Sequence, residues 1–128
     1  MRGRVPKSTK GLDRANEPGV LLLTSLASGA KHGYALAKDI EAFAGVTLGP
    51  GTLYGAITRL EQRGLIEPTA GDERRRPYRI TAAGRAALTS AVRDMRVIAD
   101  EGAARLGIVM LGMGFASVGR SAHIGWAP

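Results

Sequence analysis

Two short extended runs around a charged turn, placed directly behind a helical segment, constrain the fold of this 128-residue chain more than any other feature. The runs are Leu65–Thr69 and Pro77–Ile80, and the turn between them includes the sequence Gly-Asp-Glu-Arg-Arg-Arg. Short apolar runs on either side of a polar turn predict a β-hairpin. Because no linker separates this hairpin from the preceding helix, we expect both to belong to one small domain.

Three short helical segments precede the hairpin. Asn16 is the predicted N-cap of the first segment, and Gly29 is its predicted end. The second segment is predicted over Gly33–Ala44, and Gly45 would end it. Its apolar residues recur at helical spacing and predict a buried side: Tyr34, Leu36, Ile40 and Phe43.

The third segment is the most clearly marked helix, because Gly49-Pro50 opens it and Gly64 closes it. Its apolar residues predict one buried side: Leu53, Ile57 and Leu60. The opposite side carries small or hydrogen-bonding residues: Thr52, Gly55, Thr58, Arg59 and Gln62. Three helices followed by a hairpin are the layout of a winged helix-turn-helix, in which such a side reads base edges in the major groove. The amides of Gly51 and Thr52 could also receive a phosphate.

A long helix follows the hairpin and is predicted over Ala82–Leu106, with Thr81 as its cap. Its apolar positions step by three and four residues along a narrow seam, which favours pairing with a second helix. The seam consists of Leu88, Val92, Met95, Ala99, Ala103 and Leu106. We therefore expect a mainly α (α+β) fold, a winged helix-turn-helix with a two-stranded wing and a long C-terminal dimerisation helix.

The predicted organisation has four parts. A basic N-terminal arm covers residues 1–15, the winged helix-turn-helix DNA-binding domain 16–81 and the dimerisation helix 82–106. The tail over 107–128 shows no period from which a structure follows. Its large apolar residues could line a pocket at a dimer interface or pack loosely: Met110, Met113, Phe115 and Trp126.

Composition favours a phosphate-rich partner and excludes several classes of function. The 18 lysines and arginines exceed the 11 aspartates and glutamates, which gives a formal charge of +7. The absence of cysteine excludes thiolate nucleophiles and thiolate metal sites. The two histidines, His32 and His123, have no partner at metal-ligand spacing. We expect no catalytic residue, metal or cofactor, and therefore no enzyme. No apolar run reaches the ~20 residues of a membrane span, so we expect a cytoplasmic protein without a membrane partner.

Cations of the hairpin and of the second helix accompany the third helix: Lys31, Lys38, Arg74, Arg75, Arg76 and Arg79. A cationic loop beside a recognition helix can lie on the DNA backbone or enter the minor groove. Two other interpretations stay open. The winged helix could be a protein-interaction module with an acidic partner, or the chain could bind nucleic acid without sequence specificity.

Four linked motifs resemble the PadR family of transcriptional regulators. They are His32-Gly33-Tyr34-Ala35-Leu36, Pro50-Gly51-Thr52-Leu53-Tyr54, Arg59–Ile66 and Arg75–Arg85. The similarity covers about Val20 to Leu106, in the family's order and separations. It implies a dimeric repressor on double-stranded DNA, with the third helix in the major groove, the wing on the flanking backbone and the C-terminal helix forming the dimer. A small hydrophobic effector is a further ligand that the resemblance suggests.

The resemblance also assigns roles to individual residues. Thr52 and Tyr54 match helix-start positions that contact DNA, and His32 and Gly33 match a helix opening with a close backbone approach. Together with the residues named above, the expected DNA-binding set is Lys38, Gly51, Thr52, Tyr54, Thr58, Arg59, Arg74, Arg75, Arg76 and Arg79. Two departures stand out, because Gly55 replaces a frequent proline and Gly49 a Ser or Thr cap. Both predict a less stable start of the recognition helix.

Overall fold

The computed structural model describes residues 17–71, 76–111 and 114–117, with side chains up to Ile108. The elements run in the order α1 (Pro18–Leu26), α2 (Gly33–Ala44), α3 (Pro50–Gln62), β1 (Ile66–Pro68), β2 (Tyr78–Ile80), α4 (Ala82–Leu106), β3 (Ile108–Leu111) and β4 (Gly114–Ser117). Contacts divide the chain into two compact units, residues 1–90 and 91–128. The first unit is a winged helix-turn-helix, as predicted.

One apolar core holds the first unit together. Its buried side chains come from α1, α2, α3 and the wing β1–β2: Leu21, Leu22, Leu23, Leu26, Leu36, Ile40, Leu53, Ala56, Ile57, Leu60, Leu65, Ile66 and Ile80. Burial of one such side chain stabilises the fold by about 1.5–3 kcal/mol. All four leucines of α1 are buried, which is why this helix carries consecutive apolar residues rather than apolar residues on one side only. Phe43, predicted in the core, is half exposed, because it lies at the edge of the buried side of α2.

The helix ends show where local sequence signals act. Glu17, rather than the predicted Asn16, holds the N-cap position of α1, and Pro18 begins the helix. Proline suits this place because its fixed φ is already helical and its missing N–H would have no intrahelical acceptor. Asn16 itself lies outside the described residues. At the end of α2, Gly45 adopts φ 69°, a left-handed conformation that glycine reaches without strain.

A hydrogen-bonded cap and a close approach fix the start of α4 on the wing. The Gly84 amide donates to Thr81 Oγ1 at 3.0 Å, and the Thr81 hydroxyl donates to the Gly64 carbonyl at 2.7 Å. A Cβ added at Gly84 would lie 2.8 Å from Ile80 Cγ1 and would overlap the Leu65 carbonyl oxygen. The predicted Thr81 cap is thus confirmed, and only glycine lets α4 approach the wing this closely.

The wing is joined to the segment between α1 and α2. Its strands are antiparallel, with Ile66 opposite Ile80. The Lys31 amide donates to the Tyr78 carbonyl at 3.0 Å, and the Tyr78 amide donates to the Lys31 carbonyl at 2.9 Å. Lys31 therefore precedes the second helix rather than lying in it, which corrects the prediction, and its backbone extends the wing by one residue pair.

The Lys31 side chain is part of the fold rather than a free cation. Its ammonium donates to the Ser25 carbonyl at 2.5 Å and to Ser28 Oγ at 3.0 Å. The buried Ser25 hydroxyl in turn donates to Asp39 Oδ2 at 2.6 Å. This network gives the Ser25 carbonyl near the end of α1 a further donor beside the Ser28 amide, which lies 3.4 Å away, and it joins α1 to α2 through Ser25 and Asp39.

The second unit, residues 91–128, contains an element that the sequence did not predict. After α4 ends at Leu106, Gly107 adopts φ 75°, and strands β3 and β4 form an antiparallel hairpin. Met110 lies opposite Phe115 in its register, whereas Met113, His123 and Trp126 fall outside the described residues. No structure was predicted for this stretch, because near-continuous apolar residues lack the alternation that marks a strand.

None of the helices in the described ranges combines the length and the apolar character needed to cross a membrane.

Candidate nucleic-acid interface

Helix α3 separates a buried side from a polar side. Leu53, Ala56, Ile57 and Leu60 face the core. The opposite side presents mostly exposed residues, with Gly55 half-buried among them: Gly51, Thr52, Gly55, Thr58, Arg59 and Gln62. Every α3 residue that the sequence assigned to this side lies on it. The helix therefore offers solvent a continuous face of small and hydrogen-bonding groups.

The start of α3 leaves backbone donors at the same face. Gly49 is the N-cap and makes no side-chain cap hydrogen bond, and Pro50 begins the helix. The amides of Gly51 and Thr52 lie in the first turn, where N–H groups have no intrahelical acceptor. Such amides and the helix dipole together favour an anion at this point.

Tyr54 stands beside this turn and packs against the start of α2. A Cβ added at Gly33 would lie 2.8 Å from Tyr54 Cζ and 3.1 Å from Cε1. The phenol ring therefore occupies the space that any other residue at position 33 would need, which confirms the close approach predicted there. About half of the Tyr54 side chain, 51%, stays exposed. His32 holds the N-cap position of α2, and its imidazole makes no cap hydrogen bond.

Tyr34 belongs to the surface rather than to the core in which the sequence placed it. Its side chain is 69% exposed, and the Lys38 ammonium, one turn along α2, lies 6.0 Å from the centre of its ring. This is the outer range of a cation–π contact. Helical spacing alone could not reveal the exposure, because tyrosine is amphipathic and Tyr34 sits at the rim of the apolar side. An aromatic ring four residues before a lysine was the available signal.

Two polar side chains of the α3 face fold back onto the helix. The Thr58 hydroxyl donates to the Tyr54 carbonyl at 2.9 Å, which leaves its oxygen as an acceptor. The Arg59 guanidinium turns towards the helix N-terminus, since a Cβ added at Gly55 would lie 3.4 Å from its Nη1. Arg59 thus lies along the face rather than projecting from it.

The structure describes part of the basic wing. Arg79 is exposed, and its Nε donates to Glu67 Oε2 on the neighbouring strand at 2.7 Å. Exposed pairs of this kind contribute about 0–1 kcal/mol, so this guanidinium can exchange partners at little cost. Arg76 is half-buried, and its Nε is enclosed without a hydrogen-bond partner in the described residues. Arg74 and Arg75 lie outside the described residues.

The predicted seam of α4 divides between buried and exposed positions. Leu88, in the first unit, packs partly against the core. In the second unit Met95 is half-buried and Ala103 is buried, whereas Val92, Ala99 and Leu106 are exposed. Two further exposed apolar residues, Val97 and Ile98, were not part of the prediction. Within the described ranges, no cluster of histidine, aspartate and glutamate could hold a metal ion.

Comparison with known proteins then identifies the chain. The PadR-like family of transcriptional regulators matches residues 22–90, which is more than half of the sequence and runs from within α1 through α2, α3 and the wing. The chain belongs to this family. The match confirms the resemblance carried by the four motifs.

Individual relatives agree with this assignment. The chain is 41% identical to the transcriptional regulator Rv3488 of Mycobacterium tuberculosis over 83 residues, which are 62% of this chain and 77% of that protein. It is 44% identical to an uncharacterized 37.1 kDa protein in transposon TN4556 of Streptomyces fradiae over 82 residues, which are 64% of this chain and 24% of that protein. The chain therefore spans about a quarter of that longer relative.

A solved structure supports the fold. A PadR family transcription regulator from hypervirulent Clostridium difficile R20291 superposes with a TM-score of 0.64 at 26% identity, over 72% of this chain and 100% of that one. Together these matches confirm a PadR-family transcriptional regulator of winged helix-turn-helix fold. They also confirm the prediction of a regulator rather than an enzyme, because the family consists of regulators.

Proposed function

We propose that this PadR-family chain is a sequence-specific repressor that binds a palindromic operator as a dimer. The observation that carries the proposal is the exposed face of α3, which lies opposite the buried Leu53, Ile57 and Leu60. That face carries no large apolar side chain and combines small residues with hydroxyl, amide and guanidinium groups. Small residues let a helix enter the major groove, and these polar groups match the donors and acceptors of base edges.

The first turn of α3 and the start of α2 supply the backbone contacts in this proposal. The amides of Gly51 and Thr52 receive one phosphate, and the half-exposed Tyr54 donates through its hydroxyl to the same strand. Lys38 and Tyr34, which lie together on the exposed side of α2, supply further backbone contacts in this proposal. These contacts set the register of the protein and carry no sequence information themselves.

Base reading falls to the middle of α3. Arg59 pairs with a guanine through O6 and N7, which is the commonest specific contact of an arginine. The Thr58 oxygen accepts a hydrogen bond, because its own proton is donated to the Tyr54 carbonyl. Thr52 approaches the bases from the turn before.

The wing binds the flanking backbone. Arg79 leaves Glu67 for a phosphate, an exchange that the exposure of this pair makes inexpensive. Arg76 and its neighbours Arg74 and Arg75 complete the basic wing. Residues 16–81 thus form the DNA-binding domain, and residues 1–15 add a basic arm.

Dimerisation through residues 82–106 places two such domains on one operator. The exposed apolar side chains of α4 in the second unit support this, since a single chain leaves them in contact with water. The proposed interface comprises Leu88, Val92, Met95, Ala99 and Leu106, to which the exposure of Ile98 adds a sixth residue. Two-fold symmetry then requires half-sites about one helical turn apart, roughly 10 bp.

Release from DNA is assigned to a small hydrophobic effector that binds between the two copies of α4. The apolar character of the exposed side chains there supports this ligand class. An effector can shift the equilibrium only if it binds the released spacing of the two domains more tightly than the DNA-bound one.

The test begins with selection of duplexes from a randomised library by the wild-type protein. Fluorescence anisotropy then compares the selected duplex with a scrambled one at about 50 to 200 mM salt. We expect a palindrome and an affinity at least ~10³-fold higher for the selected duplex. Equal, steeply salt-dependent binding of both duplexes would contradict the proposal and indicate a non-specific binder. Binding of neither would favour a protein partner.

Matched variants then test the assigned roles. Arg59→Ala should weaken binding of the selected duplex by roughly 1–3 kcal/mol and relax specificity at one position. Arg96→Ala removes the same charge from α4 and should lower the affinity for both duplexes equally, if at all. Equal effects of the two variants would show that Arg59 contributes charge rather than base recognition.

A further inference from the structure

The exposed face of α3 is flat, and Gly55 lies at its centre. The other residues of that face are three, four or seven positions from Gly55, which places them within roughly 60° of it around the helix axis. Two of the side chains around this centre are folded back: the Thr58 hydroxyl onto the Tyr54 carbonyl at 2.9 Å, and the Arg59 guanidinium over Gly55.

No contact within the described part of the chain requires glycine at position 55. Gly33 and Gly84 are required by close contacts, since an added Cβ would meet Tyr54 Cζ or Ile80 Cγ1 at 2.8 Å. A Cβ at Gly55 would meet only the flexible end of Arg59, at 3.4 Å, and the backbone there is ordinary right-handed helix. Glycine inside a helix is nevertheless less favourable than alanine, because it loses more conformational freedom on folding. Gly55 therefore makes α3 less stable than alanine would, and no close contact among the described residues explains its presence.

We propose that Gly55 determines operator specificity by setting how closely α3 approaches the base edges. The inference rests on the proposed function and names the residue on which its selectivity depends. A methyl group at position 55 would project from the centre of the flat face and hold the helix away from the groove floor. Hydrogen bonds from Thr52 and Arg59 to bases would then be stretched, and such bonds tolerate only a few tenths of an ångström.

Contacts to phosphates respond differently to the same displacement. They depend on charge and on released counterions, and they vary slowly with distance. Gly55→Ala changes no charge, so we expect it to leave non-specific binding unchanged. The ratio of specific to non-specific affinity is therefore the quantity that reports on Gly55.

The experiment compares Gly55→Ala with Gly19→Ala in the full chain. Gly19 lies on α1 against the buried side of α3, where an added Cβ would make an ordinary contact of 3.7 Å with Leu60 Cδ2. Thermal unfolding should show that neither variant is less stable than the wild type. On the duplex that the wild type selects, we expect Gly55→Ala to bind about tenfold or more weakly. On the scrambled duplex, both variants should match the wild type.

A second round of selection, with Gly55→Ala itself, should enrich a different sequence or none. If Gly55→Ala keeps the wild-type preference and affinity, the inference is wrong although the proposed function stands. If it weakens both duplexes equally, Gly55 acts on general binding and the inference is equally wrong. If the wild type selects no sequence, the proposed function is wrong, and the inference about Gly55 is wrong as well.

Discussion

The two compact units use the same apolar residue types in opposite ways. In the first unit Leu22, on α1, is 0% exposed and belongs to a core shared by three helices and the wing. In the second unit Ile98 and Leu106, on α4, are 72% and 75% exposed. The first unit therefore buries most of its leucine and isoleucine side chains within one chain. The second unit presents apolar side chains that the described residues of one chain do not cover, and the proposed dimer assigns them to a second copy.

The largest expected difference between the two units is the loss of stability when a leucine is replaced by alanine in each. Leu22→Ala removes a fully buried side chain and should lower the free energy of unfolding by about 2–5 kcal/mol. Leu106→Ala should leave it nearly unchanged at protein concentrations where the chain is monomeric. Urea denaturation measures both. Comparable losses in the two variants would show that α4 is buried within a single chain after all.

The exposed surface of α4 can be tested directly. Ile98→Asp combined with Leu106→Asp should convert the proposed dimer to a monomer in sedimentation velocity, while circular dichroism stays unchanged. Ala104→Asp, at another exposed position of α4, introduces the same type of charge and should leave the dimer intact. Leu88 is unsuitable for this purpose because it packs partly against the core. A double variant that sediments like the wild type would contradict the interface.

Two glycines of α4 give a smaller contrast, one from each unit. Gly84→Ala places a Cβ against the Leu65 carbonyl oxygen and Ile80, so it should destabilise the chain by about 1–3 kcal/mol. Gly102→Ala meets no atom within 4 Å and should stabilise the helix by up to about 1 kcal/mol. Thermal unfolding of both variants checks the signs. Destabilisation by Gly102→Ala would reveal a close neighbour at that position.

The smallest expected effect concerns two exposed ion pairs. Arg79–Glu67 on the wing and Arg105–Glu101 on α4 have N–O distances of 2.7 and 2.8 Å. Glu67→Gln and Glu101→Gln should each change stability by less than about 1 kcal/mol. Only Glu67→Gln should tighten DNA binding, because it releases Arg79 and removes a negative charge from the wing. Anisotropy on the selected duplex distinguishes them, and weaker binding by Glu67→Gln would exclude Arg79 as a phosphate contact.

Sequence reasoning predicted most of the first unit because strong local signals mark its helix ends. Gly45 and Thr81 fixed a helix end and a helix start, and the periodicity of Leu53, Ile57 and Leu60 identified the buried side of α3. Residues at the border between the buried and exposed sides of a helix were misassigned, as Tyr34 shows. A rotation of a few tens of degrees around the helix axis decides whether such a side chain faces the core or the solvent. Lys31 was misassigned for another reason. The Ser25 carbonyl comes within reach of its ammonium only because α1 ends at Leu26, and the sequence did not predict that end.

The hairpin of β3 and β4 was not predicted because no local sequence pattern indicates that these two strands pair. Strand β3 carries the continuous apolar sequence Ile-Val-Met-Leu, which is compatible with helix or strand. On the α3 face, the sequence located the residues but not their conformations. Thr58 is folded back by a hydrogen bond to the Tyr54 carbonyl, and Arg59 lies in the space left by Gly55. No sequence pattern indicates these two side-chain conformations.

The backbone pairing of Lys31 with Tyr78 has a mechanical consequence. Together with the hydrogen bond from Thr81 to Gly64, it fastens the wing to the helices at both ends of the hairpin. A wing held in this way moves together with the α3 face. For the proposed dimer, we therefore expect a signal that alters DNA affinity to change the distance between two intact DNA-binding domains rather than to deform either one.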